Sequence, residues 1–245
     1  MATSTARALR PRQDDVFFSG MAILILGVVF LGFARSYYLA GVFGAHLPNL
    51  LVHVHGAVFS AWIILLVAQT SLVAAGRLDL HRRLGMFGAA LAAAMVVLGF
   101  LAATDALGRG FTPPGSPFDP SSFYAIPCFE TANFCILITA ALRARSDGPA
   151  HKRLIMLATI GLLGPAIGRW PFPFVKSPIV VLGSIGLLIL MVAAFDLWSR
   201  RSIHPATLKG GLFLTISLLV MVPIGRTNAW HYFAALVRNV WLSLR

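Results

Sequence analysis

The sequence predicts an all-α protein: a polytopic membrane helical bundle of about seven transmembrane helices, followed by a C-terminal helix lying in the membrane interface. Composition is the first reason. Of 245 residues, 58% are hydrophobic and only 11% charged, with a mean hydropathy of +0.82, which is more apolar surface than a soluble domain of this size needs. Patterning is the second. Apolar runs of ~20 residues, each able at ~1.5 Å per residue to approach the ~30 Å of a hydrocarbon core, alternate with short basic turns. The net charge of +12 is therefore a topology signal distributed between spans, and it implies a lipid bilayer as partner and no nucleic acid.

Residues 1–15 form a polar, basic stretch, expected to be a disordered cytoplasmic leader. The apolar run after it has no small-x-small cleavage site near its end, so it is read as a retained first span and not a signal peptide. That span covers 16–34 and ends on Arg35, Tyr37 and Tyr38, whose rings suit an interface. Span two, 50–74, organises the chain: it opens with His53 and His55 and leads into the basic turn His81-Arg82-Arg83. Span three, 84–104, is rich in small residues, and Gly85, Ala89 and Ala93 at four-residue spacing let a second helix or a flat cofactor approach the backbone.

The following loop, from Gly108 to Ser122, holds four prolines and three glycines and is a candidate lid. Span four, 122–142, carries Pro127, Glu130 and Asn133. Span five, 154–170, contains Gly164-Pro165-Ala166-Ile167-Gly168, which predicts tight packing and a kink. Span six, 179–198, is polar only near its end, at Asp196. Span seven, 212–223, starts at or shortly after Gly210-Gly211. In the tail, 227–245, Trp230, Phe233, Val237, Val240, Trp241 and Leu244 share one helical face, opposite His231, Arg238 and Asn239, as in an interfacial helix.

Residues 16–226 thus form one transmembrane domain. The turns at His81-Arg82-Arg83-Leu84 and His151-Lys152-Arg153-Leu154 echo each other, which makes 50–105 and 122–172 two related hairpins. With a cytoplasmic N-terminus, Lys and Arg divide thirteen inside, Arg7, Arg10 and Arg12 among them, to seven outside. That predicts a multi-pass protein of a bacterial inner membrane with a periplasmic C-terminus. Cys128 and Cys135, seven residues and ~10 Å apart on a helix, are packing residues and do not form a disulfide.

Two constellations could carry chemistry. Residues two apart on a helix point ~160° from each other, so His53 and His55 do not chelate one ion, and no metal site is expected there. His55 shares a stripe with Phe59, Trp62, Leu66 and Gln69, which would face the bundle so that Gln69 is not an amide in oil. Glu130 and Asn133 share a face at a similar depth. An ionisable group there is a functional hint, and the expected outer ligand pocket is His55, Glu130, Asn133, Arg169, Arg226 and His231, with a buried ion pair as the structural alternative. At the other end, His81 and His151 recur at the starts of two outward-running helices. They are either interfacial anchors or axial ligands of a haem. No phosphate-binding loop, dinucleotide glycine pattern, His-Glu-x-x-His or Gly-x-Ser-x-Gly is present.

With its His-x-His-Gly start and its His-Arg-Arg-Leu-Gly, His-Lys-Arg-Leu and His-Pro-Ala-Thr turns, the chain resembles predicted bacterial multi-span membrane proteins of unknown function. More loosely it resembles di-haem b-type transmembrane cytochromes, whose four core helices each supply one histidine. That second resemblance implies haem b, with His55, His81 and His151 filling three of the four positions on spans two, three and five, and a quinone or another redox partner. Span four offers Glu130 and Asn133 in place of the fourth histidine, which leaves the inner pair as the one candidate haem site. Two classes of function are expected from these features: a b-type haem electron-transfer protein or membrane oxidoreductase, or a non-haem transporter or sensor that binds a small ligand or a proton at Glu130.

Overall fold

A computed structural model of the chain describes residues 2–46 and 49–244, with side chains from residue 13 onward apart from 174 and 176. The predicted contribution of Arg7, Arg10 and Arg12 to the charge count therefore lies outside the described side chains. No strand occurs among the described residues. The helices are α1 (Ala2–Phe33), continued by a π-helical turn over Ala34–Tyr38, α2 (Ala40–Phe43), α3 (Leu50–Ala74), α4 (Leu78–Gly108), α5 (Pro120–Arg143), α6 (Gly148–Ile160), α7 (Gly164–Ile167), a 3-10 turn over Pro173–Lys176, α8 (Pro178–Arg200), α9 (Pro205–Gly225) and α10 (Asn228–Ser243). The residues read as an irregular leader lie in the first turns of α1.

Six of these helices are long and apolar enough to cross a membrane, not seven. They are α1 with its π-turn (Gln13–Tyr38), α3, α4, α5, α8 and α9. The predicted fifth span is instead divided into α6 and α7. Pro165 has no N–H to bond the Gly161 carbonyl, which removes one rung of the ladder beside the glycines at 161 and 164. At the break, the amides of Leu162 and Leu163 turn back to the Thr159 and Ile160 carbonyls, each at 3.1 Å, in tighter i to i−3 bonds. The two pieces still traverse the bundle. Lys152 in α6 pairs with Asp14, whereas the Ala166 carbonyl in α7 lies against Gly32, 18 residues and about 27 Å further along α1. "Inner" below names the end of the bundle holding Asp14, His81 and Lys152; "outer" names the opposite end.

Helix α3 packs on α4 and α5 on α6, with α1, α8 and α9 around them. Helix starts are set by side chains that take up free amides: Asn49 accepts from Val52 N at 3.0 Å, Asp119 from Ser121 N at 2.9 Å, and Asp147 from Ala150 N at 3.2 Å. The core joins Ile25, Trp62, Met95, Phe134, Leu157, Ile185 and Leu214. Ile23, Ile64, Met86, Leu187 and Leu219 face outward, as lipid-facing side chains do.

Two carboxylates tie helix ends together. Asp196 and Arg153 are both fully buried. Arg153 Nε donates to Asp196 Oδ1 at 2.9 Å and Nη1 to the Pro149 carbonyl at 2.9 Å, while Asp196 Oδ2 accepts from Thr207 Oγ1 at 2.6 Å and from His204 N at 3.0 Å. Inner ends of α6, α8 and α9 are fastened at this one point. Near the outer end, buried Asp105 accepts from Asn49 Nδ2 at 3.0 Å and Arg109 Nε at 2.8 Å, which joins the start of α3 to the end of α4.

Helix α10 lies across the outer ends of α4, α5 and α9. Trp230 Nε1 donates to the Ser121 carbonyl at 2.9 Å, Ala234 is buried with Ala103, Leu107 and Tyr124, and Trp241 packs on Gly108. The inward stripe is thus Trp230, Ala234, Val237 and Trp241. Phe233, Val240 and Leu244, predicted for the same face, are exposed, because Phe233 and Val240 sit ~60–80° round the helix from that stripe and Leu244 follows its last turn.

Candidate functional site

The expected outer pocket divides into three groups. Glu130, on the third turn of α5, is 4% exposed. Its Oε1 occupies the space a Cβ on Gly164 would fill, and it makes no hydrogen bond to any described residue. Arg169, just beyond α7, is its electrostatic partner. That guanidinium donates to the Pro165 carbonyl at 2.8 Å and lies 5.0 Å over the Phe33 ring. His55 also senses Arg169 and approaches the Leu98 carbonyl; its ring lies tilted by 31° against Phe59 with centroids 4.1 Å apart, and its Nδ1 is buried without a partner. The stripe of His55, Trp62, Leu66 and Gln69 does face the bundle.

Asn133 forms the second group. Its Oδ1 accepts from Ser217 Oγ on α9 at 2.8 Å, and its Nδ2 is buried without a partner.

Arg226 and His231 form the third group with the loop, away from Glu130. Arg226 lies over Phe118 at 5.5 Å, and His231 Nε2 meets Ser122 Oγ at 3.0 Å. Ser122 is eight residues from Glu130, about 12 Å along α5. The hydroxyl of Ser122 donates to Asp119 Oδ2 at 2.5 Å, so the serine proton faces the carboxylate and not the imidazole, the wrong order for an activated nucleophile. Burial opposes ionisation of Asp119, but the Ser122 hydroxyl, the Ser121 and Ser122 amides and the nearby His231 hold its carboxyl below the usual range. This cluster caps a helix.

His81 and His151, by contrast, are brought to one inner cavity of about 150 Å³. Helix α4 contributes His81 and the small residues Gly85, Gly88 and Ala89, two of which the sequence picked out for close approach. Helix α3 gives Trp62, Leu66, Gln69 and Thr70, α5 gives Ile138 and Leu142, and α6 gives His151, Ile155 and Met156. Asp14, Asp15 and Lys152 stand at its inner edge, with the Asp14–Lys152 ion pair among them. Neither aspartate was read as a site residue, since both fall in the stretch taken for a leader. Arg153, which could have met an acidic cofactor edge, is committed to Asp196.

The polar atoms of this cavity have a common character. His151 Nδ1 lies 2.7 Å from the Ala141 carbonyl, and a carbonyl only accepts, so Nδ1 carries the proton and Nε2 keeps its lone pair. His81 lies within electrostatic reach of His151 and beside the Gln69 carbonyl; its Nδ1 is buried without a partner, as is Gln69 Oε1. The unengaged atoms are an amide oxygen, which accepts, and two imidazole nitrogens, each of which accepts in the neutral ring whose other nitrogen carries the proton, in an apolar chamber with one charged edge.

Two free imidazole nitrogens on facing helices match what haem iron takes. The space does not match the macrocycle. A cavity of ~150 Å³ holds about one six-membered carbon ring, and sites for larger organic ligands run to roughly 300–1,000 Å³. Among the described residues no group of three or more His, Cys, Asp or Glu side chains could hold a metal ion. Comparison with protein-family models, curated proteins and solved structures gave no match, so what this site does has to be read from its geometry.

Proposed function

We propose that the chain is a multi-pass protein of a bacterial inner membrane that binds the dihydroxy-ring headgroup of a quinol in the cavity between His81 and His151, as a component of membrane electron transfer. The observation that carries this reading is the set of unengaged acceptors, His81 Nδ1, Gln69 Oε1 and His151 Nε2, facing a cavity of one-ring size. A buried acceptor without a donor costs about 1–3 kcal/mol. A ring with two hydroxyls supplies donors, fills the apolar remainder against Trp62, Ile138 and Met156, and leaves a lipid tail to the bilayer. An oxidised quinone offers only acceptors and suits this site less well.

Titration calorimetry of the purified protein with a short-chain hydroquinone tests the proposal. Saturable binding is expected, weakened about five- to twelvefold by Gln69→Leu or His151→Ala, since one such hydrogen bond is worth about 1–1.5 kcal/mol. No binding by the wild type would sink it. A second reading, haem b on His81 and His151, is favoured by the paired imidazoles alone and requires α4 and α6 to part. A Soret band lost in both His81→Ala and His151→Ala would select it.

The same reading sets the topology. Reporter fusions after Arg83, Arg153 and Arg201 are expected to be cytoplasmic and a fusion after Arg245 periplasmic. A cytoplasmic signal at Arg245 would reverse the assignment of the outer end.

A further inference from the structure

Glu130 lies on the outer side of the bundle and takes no part in the inner cavity. We propose that it is a proton-binding site, at which the carboxyl takes up and releases a proton at the break between α6 and α7. Three observations carry this. First, Asp105 and Asp196 are also buried, but each is held by hydrogen bonds from two or more residues, whereas Glu130 is 4% exposed and has none from a described residue. Second, its Oε1 is seated on Gly164, in space that exists only because that residue has no side chain. Third, the break supplies what a neutral acid needs. Pro165 denies the Gly161 carbonyl its ordinary donor, leaving an acceptor one turn from Gly164 for a carboxyl O–H.

The ionised form has a different partner. Arg169, exposed at the end of the broken segment and bonded to the Pro165 carbonyl, lies within electrostatic reach of Glu130. Among the neighbouring elements, α3 offers His55, itself in reach of Arg169, α8 offers the apolar Ile185, and α9 offers Ser217, which is bonded to Asn133. In this proposal the two protonation states draw on different groups, the acid on the carbonyl that Pro165 leaves without its donor and the carboxylate on the field of Arg169. On release the O–H bond breaks and the proton leaves toward the outer end, past Arg169 and the unpartnered Nδ1 of His55.

Infrared difference spectroscopy of the full chain in lipid vesicles, between acidic and alkaline buffer, tests this. A carboxylic C=O band should disappear on going alkaline, be absent in Glu130→Gln and persist in Glu130→Asp, which guards against a Gln variant that misfolds. Gly164→Ala, which keeps the acid but places a methyl where Oε1 lies, should displace the band. Arg169→Gln should move the pH at which it changes. A wild-type spectrum with no band that Glu130→Gln removes overturns the proposal, as does a band that Gly164→Ala and Arg169→Gln both leave unmoved. His151→Ala should leave the band intact, so the site stands or falls separately from quinol binding.

Discussion

Asp196→Ala is expected to cost about 3–5 kcal/mol, a large share of the ~5–15 kcal/mol that stabilises an ordinary domain. Arg153 is fully buried and its Nε and Nη2 both donate to Asp196. With the carboxylate gone, the guanidinium keeps the Pro149 carbonyl and the face of Phe18, and neither its charge nor its freed N–H groups find water. Thr207 Oγ1 and His204 N lose their acceptor in the same step. The double variant Arg153→Met with Asp196→Leu removes both charges and keeps volume, and it should recover most of the loss, because desolvating the pair consumed much of what their attraction returned. Thermal unfolding of the single and double variants in detergent checks this. A single variant melting within a degree or two of wild type would mean the charge escapes to the surface.

Much of this architecture could be read from hydropathy and spacing. The span from Leu50 to Ala74 coincides with α3, and Glu130 and Asn133 are buried together on α5 as their i, i+3 spacing requires. His81 and His151 share a cavity because each begins a helix that rises from the same end of the bundle. Averaged hydropathy could not show the break in the fifth span. Pro127 and Pro223 sit within continuous helices, so a proline alone does not decide. At Pro165 the glycines at 161 and 164 and the Glu130 carboxyl pressed on Gly164 add to it, and that carboxyl comes from another helix. The residues of the outer pocket lie in separate groups for a related reason. Sequence depth places Arg226 and His231 level with the outer helix ends, but not on the Glu130 side, and Phe118 and Ser122 take them instead.

A single methyl at Gly32 is expected to separate α1 from α7, while methyls at two other glycines of the same helix do no harm. A Cβ on Gly32 would fall onto the Ala166 carbonyl carbon and oxygen, which are backbone and cannot rotate aside as a side chain would. One helix must move, and overpacking of this kind costs about 1–3 kcal/mol or more. Gly20 and Gly27 have nothing within 4 Å of an added Cβ. There alanine gains about 0.5–1 kcal/mol from reduced backbone freedom and opposes nothing. Thermal unfolding should therefore rank Gly20→Ala and Gly27→Ala at or above wild type and Gly32→Ala well below. Equal melting of Gly32→Ala and Gly27→Ala would show that α7 is not held against α1. Because α7 also carries Gly164, the displacement in Gly32→Ala should reach Glu130 and disturb its carboxyl band, as Gly164→Ala does directly. The inner cavity, bounded by α6 and not by α7, should keep its affinity for hydroquinone.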